Sequence, residues 1–130
     1  MPRAVDPLPL PRYDRKVRSF DAPPIVHEAL ARFRATLVAR FGARLRELVL
    51  FGSRARGVAH EESDLDVLVV IDDLTASERR EIAELAYDAG QDGDELVSIS
   101  PLMLSTEAAA DMRSRSRRIM QEIARDGVPL

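Results

Sequence analysis

Residues 48–70 read LVLFGSRARGVAHEESDLDVLVV, and this stretch decides the fold. With the residues before it, LRELVLFG (Leu45 to Gly52) is a short apolar run closed by glycine, the pattern of a buried strand. DLDVLVVI, from Asp64 to Ile71, is rich in valine and predicts a second strand. Between them the chain turns at Gly52-Ser53, and ten residues separate Ser53 from Asp64.

Residues two apart on a strand share a face. Asp64 and Asp66 therefore project together, while Leu65, Val67 and Val69 project the other way, toward a core. Two carboxylates side by side repel one another, and a divalent cation removes the conflict. Hard oxygen donors of this kind suit Mg²⁺, which keeps several waters and leaves positions for phosphate oxygens. Gly52, at the strand-to-turn junction, lets the backbone come close to a ligand. The Ser53 hydroxyl and the N–H groups that follow, in a short helical turn through Arg54 and Ala55, can receive phosphate oxygens. Arg54 and Arg56 are candidate charge partners for a triphosphate, and Gly57 ends the turn. A Gly-Ser turn or an Asp-x-Asp pair alone is ordinary strand punctuation; the two together between apolar strands make the specific signal.

Working outward, Val26, Leu30, Phe33, Leu37, Val38 and Phe41 fall at helical spacing and predict a helix over 25–41. Pro23 and Pro24 sit where a first turn tolerates proline, and Gly42 can close the other end. His27, in that first turn, reads as a surface residue. Downstream, TASERREIAELAYDAG predicts a helix opened by a Thr75/Glu78 capping box and stopped by Gly90, with Ile82, Leu85, Ala86 and Ala89 inward. QDGD (91–94) reads as a turn and ELVSISPLML (95–104) as a third strand, with Pro101 pointing to an edge or a bulge. One or two short helices follow between Ser105 and Arg125, where Arg113, Arg115, Arg117 and Arg118 read as a solvated face, and Gly127 ends them. Helix, strand, strand, helix, strand, helix argues for an α/β domain with a small mixed sheet.

The 130 residues fit one domain with a single core, residues 21–130. Residues 1–20, with Pro2, Pro7, Pro9 and Pro11 followed by Arg12, Arg15, Lys16 and Arg18, read as an arm: a surface extension, or a basic segment that grips a partner or a phosphate. With no cysteine, disulfide scaffolds, thiolate metal sites and cysteine nucleophiles are excluded. No apolar run approaches a membrane span and the first residues lack a signal peptide's apolar centre, so a cytoplasmic location is expected and no membrane partner. A net charge of −3 gives no strong pull toward polyanions, so direct nucleic-acid binding is not expected.

GSRARG followed by SDLDVLVV resembles the signature of the minimal nucleotidyltransferases of the DNA polymerase beta superfamily, the small partners of HEPN proteins in toxin–antitoxin-type gene pairs. The spacing Gly52-Ser53-x10-Asp64-x-Asp66 matches that pattern residue by residue, and the order of elements is similar over residues 25–127. The resemblance implies a nucleotidyltransferase-like fold, with the sheet packed on helices on one face and an open active-site face. It also implies transfer of NMP, AMP from ATP foremost, to a hydroxyl, by resemblance a tyrosine of a HEPN-type partner. Asp64 and Asp66 would hold Mg²⁺, and Gly52 and Ser53 the β- and γ-phosphates, with Arg54 and Arg56 beside them.

The superfamily usually carries a third carboxylate on the strand after the intervening helix. Here that strand places Ser98 and Ser100 on the site face and Val97 and Ile99 on the other. Asp94 shares the site parity but stands at or before the strand's start, and Glu95 needs a bulge to reach. Either Asp94 completes a catalytic triad of carboxylates or the site has two. His60, in the loop with Glu61 and Glu62, is a candidate base or nucleotide contact, against the ordinary reading of a solvated loop histidine. Three functions follow: an antitoxin-like transferase acting on a protein, a degenerate relative that neutralises its partner by contact, and transfer to a small molecule. The last usually needs an added helical domain.

Overall fold

A computed structural model describes residues 20–56 and 64–130. Residues 1–19 of the arm, and Gly57, His60, Glu61 and Glu62 of the loop between the motif halves, lie outside the described residues. The first helix, α1, spans Pro24–Phe41. Pro23 is extended at its N-cap and Pro24 occupies the first helical position, where a missing N–H removes no bond. Val26, Leu30, Phe33, Leu37 and Phe41 are buried, as the spacing predicts, Ala29 is buried beside them, and Val38 is only half-buried at the core's margin. Gly42, at φ +56°, closes the helix by donating its N–H to the Val38 carbonyl.

A turn of 3₁₀ helix, Gly42–Arg44, leads into β1 (Leu45–Phe51), followed by α2 (Ser53–Arg56), β2 (Leu65–Ile71) and α3 (Ala76–Gly90). The capping box forms as the sequence predicts. The Glu78 N–H donates to the Thr75 hydroxyl at 3.2 Å, and the Thr75 N–H donates to Glu78 Oε1 at 3.0 Å. Glu78 is also buried, and Arg44 donates to both of its oxygens at 2.8 Å. The Arg44 hydrogen bonds, with help from the Thr75 N–H, hold the Glu78 carboxyl at about 2, below the usual carboxylate range. Arg44 further donates to the Asp72 carbonyl at 3.0 Å, so one guanidinium ties the start of β1 to the end of β2 and the start of α3.

After α3 the chain makes a two-stranded ribbon, β3 (Gln91–Asp92) and β4 (Glu95–Leu96), then β5 (Ile99–Ser105), α4 (Thr106–Ser114), α5 (Arg118–Asp126) and β6 (Val128–Pro129). The main sheet has the order β5-β2-β1-β6. β1 is antiparallel to β2 and to β6, while β2 and β5 are parallel, so the sheet is mixed. Pro101 lies on β5, an edge strand, where its missing N–H interrupts no ladder on the open side. The sequence read no β6; a two-residue strand has no periodicity to detect.

Strand alternation sends Leu48, Leu50, Leu65, Val67, Val69 and Ile71 into the main core with α1 and α3. Val49, Leu68 and Val70 point to the opposite face, where Ala109, Met120 and Ile123 of α4 and α5 cover them. The expectation of helices on one face and an open second face thus holds at one end of the sheet only. α4 is fixed there by Arg113, which makes a two-pronged ion pair with Glu47 of β1 at 2.6 and 2.7 Å. Arg113 therefore departs from the solvated face read for the arginine run, whereas Arg115, Arg117 and Arg118 are exposed.

Candidate active site

The open end of the second face lies where β1 finishes and β2 begins. Asp64 stands just before β2 and is exposed; Asp66, the second residue of β2, is half-buried. Leu65 between them is fully buried in the main core. The predicted parity is therefore present: two carboxylates on one face, anchored by a leucine on the other.

Gly52 completes this corner. In the β1–β2 ladder Phe51 stands opposite Asp66, so the chain leaving β1 must pass beside that aspartate. Gly52 does so at φ +80°, in the left-handed region that favours glycine. A Cβ built on it would lie 2.5 Å from Asp66 Oδ2. Glycine is thus required twice, for backbone conformation and for space. Ser53 then opens α2, half-buried, and Ala55 packs against the main core, which fixes the direction of this short helix. Arg54 and Arg56 lie on α2 in the same turn.

On the other side of β2, parallel pairing sets Ser100 beside Asp66 and Ile99 beside Leu65. The Leu65 N–H donates to the Ser98 carbonyl at 2.8 Å. Ser98 and Ser100 are exposed and Ile99 is buried, so the serines share the carboxylates' face as parity predicts.

Asp94 lies elsewhere. It occupies the exposed turn between β3 and β4, in a sheet separate from that of Asp66, and Glu95 is exposed on β4. Among the described residues no three His, Cys, Asp or Glu side chains gather as a metal-holding group. The stretch read as one strand over 95–104 is two strands because Val97 donates its N–H back to the Gly90 carbonyl at 2.8 Å, closing the ribbon. Residues before Val97 consequently follow the ribbon's alternation and not that of β5. His27 stacks on Phe20, ring centroids 4.6 Å apart, consistent with its reading as a helix-surface residue.

The donor set fits a hard divalent cation: two carboxylates on one face, one of them exposed, beside a glycine that leaves room for a bulky anion. What the sequence could not supply is the contact between Gly52 and Asp66. The signal for it was the paired strands, but the register across the intervening loop follows from the ladder and not from spacing.

A family model described as a nucleotidyltransferase domain matches residues 30–123, well over half the chain. Two similar proteins of Methanocaldococcus jannaschii are both provisionally named as protein adenylyltransferases. One is 42% identical over 45 residues, covering 35% of this chain and 45% of that protein. The other is 33% identical over 72 residues, covering 55% of this chain and 73% of that protein. The chain thus spans less than half of the first relative and about three quarters of the second. A crystal structure from Sulfolobus solfataricus, provisionally titled a nucleotidyltransferase, is similar with a TM-score of 0.44 at 18% identity, covering 84% of this chain and 87% of that one. Family assignment rests on the sequence matches and not on that likeness. Among the described residues, no helix is long and apolar enough to cross a membrane.

Proposed function

The chain belongs to this family of nucleotidyltransferase domains, enzymes by type, and on that premise we propose that it transfers AMP from ATP to a hydroxyl of a partner protein. The acceptor oxygen attacks the α-phosphorus, and the bond from that phosphorus to the oxygen bridging it to the β-phosphate breaks. Pyrophosphate leaves, and the hydroxyl proton passes to solvent. Asp64 and Asp66 are the residues that would hold Mg²⁺. When bound, the ion supplies charge neutralisation on the phosphates and acidifies the attacking hydroxyl. Gly52 and Ser53 hold the β- and γ-phosphates through backbone N–H groups and the Ser53 hydroxyl, and Arg54 and Arg56 offset the triphosphate charge. Catalysis of this kind is mainly positioning and charge stabilisation, which a small open domain can provide.

The observation that carries the proposal is the seat of Gly52 against the Asp66 carboxylate, which supports reading the Gly52-Ser53 turn as the phosphate holder and Asp64 and Asp66 as the metal pair of one site. The names of the two archaeal relatives support a protein acceptor and an adenylyl donor. The motif's resemblance supports a HEPN-type partner, an antitoxin-like role and, with ATP as donor, action in the cytoplasm. The proposed site uses two carboxylates, with Ser98 and Ser100 flanking them and Asp94 outside.

Incubation with labelled ATP, Mg²⁺ and a HEPN-type protein from the adjacent gene tests it. Label should move to the partner with the wild type and not with an Asp64→Asn/Asp66→Asn variant. No transfer by wild type, or equal transfer by the variant, would end the proposal. Full neutralisation of the partner by that variant would instead make contact the function, an outcome that the serines beside the two aspartates favour.

A further inference from the structure

Charge is unevenly shared along this chain. Residues 1–19 hold five cations (Arg3, Arg12, Arg15, Lys16 and Arg18) against two carboxylates, while the remainder holds 14 cations against 20 carboxylates. Within that remainder no Lys, Arg or His occurs between Arg80 and Arg113. Five of the eight carboxylates of this stretch, Glu84, Asp88, Asp92, Asp94 and Glu95, are exposed on α3 and the β3–β4 ribbon. Tyr87 and Leu96, each 57% exposed, are the large apolar side chains most open to solvent among the described residues, Tyr87 on the last turn of α3 and Leu96 on β4. Leu96 folds back over Gly90, its Cδ1 3.7 Å from where a Cβ of Gly90 would stand, and Tyr87 is about one helical turn before Gly90. Arg32 reaches this corner from α1, but it donates to the carbonyls of Ala89 and Gln91 at the end of α3.

We propose that residues 1–19 dock on this corner of their own chain. The segment's five cations complement the ribbon's carboxylates in charge, and its apolar residues Leu10, Tyr13 and Val17 match the Tyr87 and Leu96 patch in chemistry. Where the segment starts favours it over other occupants. Phe20 packs against the main core and stacks on His27, so the chain emerges at the first turn of α1. α1 runs antiparallel to α3, and its contact with Ala89 and Gln91 comes at Arg32, about 12 Å along the axis from Pro24. Four or five extended residues span about 15 Å, which brings Arg18, Lys16 and Arg15 level with the ribbon. Arg and Lys stems cover apolar surface while their charged heads stay in water, so one segment satisfies both features of the patch. This docking neither requires nor predicts nucleotidyl transfer.

Lys16 is the chain's single lysine, which makes the test direct. A zero-length carbodiimide joins its amine to a touching carboxylate, and peptide mass spectrometry identifies which one. In the whole chain at low salt, Lys16 should link mainly to Asp88, Asp92, Asp94 and Glu95. The yield should fall about fivefold or more at roughly 0.5 M salt, where exposed pairs are screened, and in an Arg12→Glu/Arg15→Glu/Arg18→Glu variant. In that variant the amides of residues 91–96 should exchange hydrogen several-fold faster. Mixed light and heavy isotope-labelled chains separate the occupants: links between light and heavy chains would give the patch to a second copy and overturn the proposal. Links centred on Asp64, Asp66 or other carboxylates, no links at low salt, or unchanged exchange in the variant would overturn it as well.

Discussion

Gly52 passes so close to Asp66 that a Cβ on the glycine would stand 2.5 Å from Asp66 Oδ2. Two parts of the motif that are fourteen positions apart in sequence are therefore one object in space, and each constrains the other. A side chain at position 52 must displace the carboxylate, move the turn, or both.

Gly52→Ala tests that coupling. The substitution forces a side chain into φ +80°, at a cost of about 1–3 kcal/mol of strain, and pushes on Asp66. Thermal unfolding should register the stability loss. Transfer of label should fall by about 10²-fold or more, since a displacement near 1 Å at a reacting centre costs on that order. Near wild-type transfer with a lowered melting temperature would separate the turn from the chemistry.

Ser98→Asp should restore a third carboxylate on the site face. Ser98 lies on the face shared with Asp64 and Asp66, and its carbonyl already accepts from the Leu65 N–H. The expected result is tighter Mg²⁺ binding and a transfer rate raised about 10²-fold, on the order of what one positioned charge-stabilising group contributes. Asp94→Ala, in the exposed ribbon turn, should leave the rate within about twofold, the scale expected for a surface substitution away from the chemistry. Loss of transfer in Asp94→Ala would instead bring Asp94 into the site.

Acid should weaken the fold through Glu78. Its folded-state carboxyl sits at about 2, below its ordinary 4.5, because Arg44 and the Thr75 N–H favour the charged form. A depressed carboxyl contributes stability above its unfolded value and loses it as pH falls, so the loss here runs from about 4.5 down to about 2. Denaturant melts at pH 7, 4.5 and 3 should show this decline, reduced in Glu78→Gln. At pH 7 that variant should cost about 1–2 kcal/mol, the scale of a cap and a charged hydrogen bond.

The Glu47–Arg113 pair should behave as a unit. Its side chains are only 12% and 18% exposed, so Arg113→Met takes the guanidinium from a largely desolvated carboxylate and should cost about 2–4 kcal/mol. Adding Glu47→Leu should recover much of that loss. A double-mutant cycle in denaturant measures the coupling, and additive single effects would contradict the pairing.

The sequence by itself determined the elements with internal periodicity or local chemistry. α1 was legible because its apolar residues recur every three to four positions and prolines and glycine mark its ends. The Thr75/Glu78 cap was legible because both partners lie within one turn. Asp64 and Asp66 could be placed on one face because strand alternation is fixed by the backbone. Long-range pairing decided the rest. β6 exists only because β1 offers an open edge, and Glu47 meets Arg113 only because α4 folds back across that strand. Asp94 stands in the turn of a separate ribbon and not at the start of β5, because the Val97 N–H pairs with the Gly90 carbonyl where the sequence predicts one continuous strand. The place of Gly52 against Asp66 came from the β1–β2 register, which local spacing cannot set because ladder hydrogen bonds and core packing choose it together.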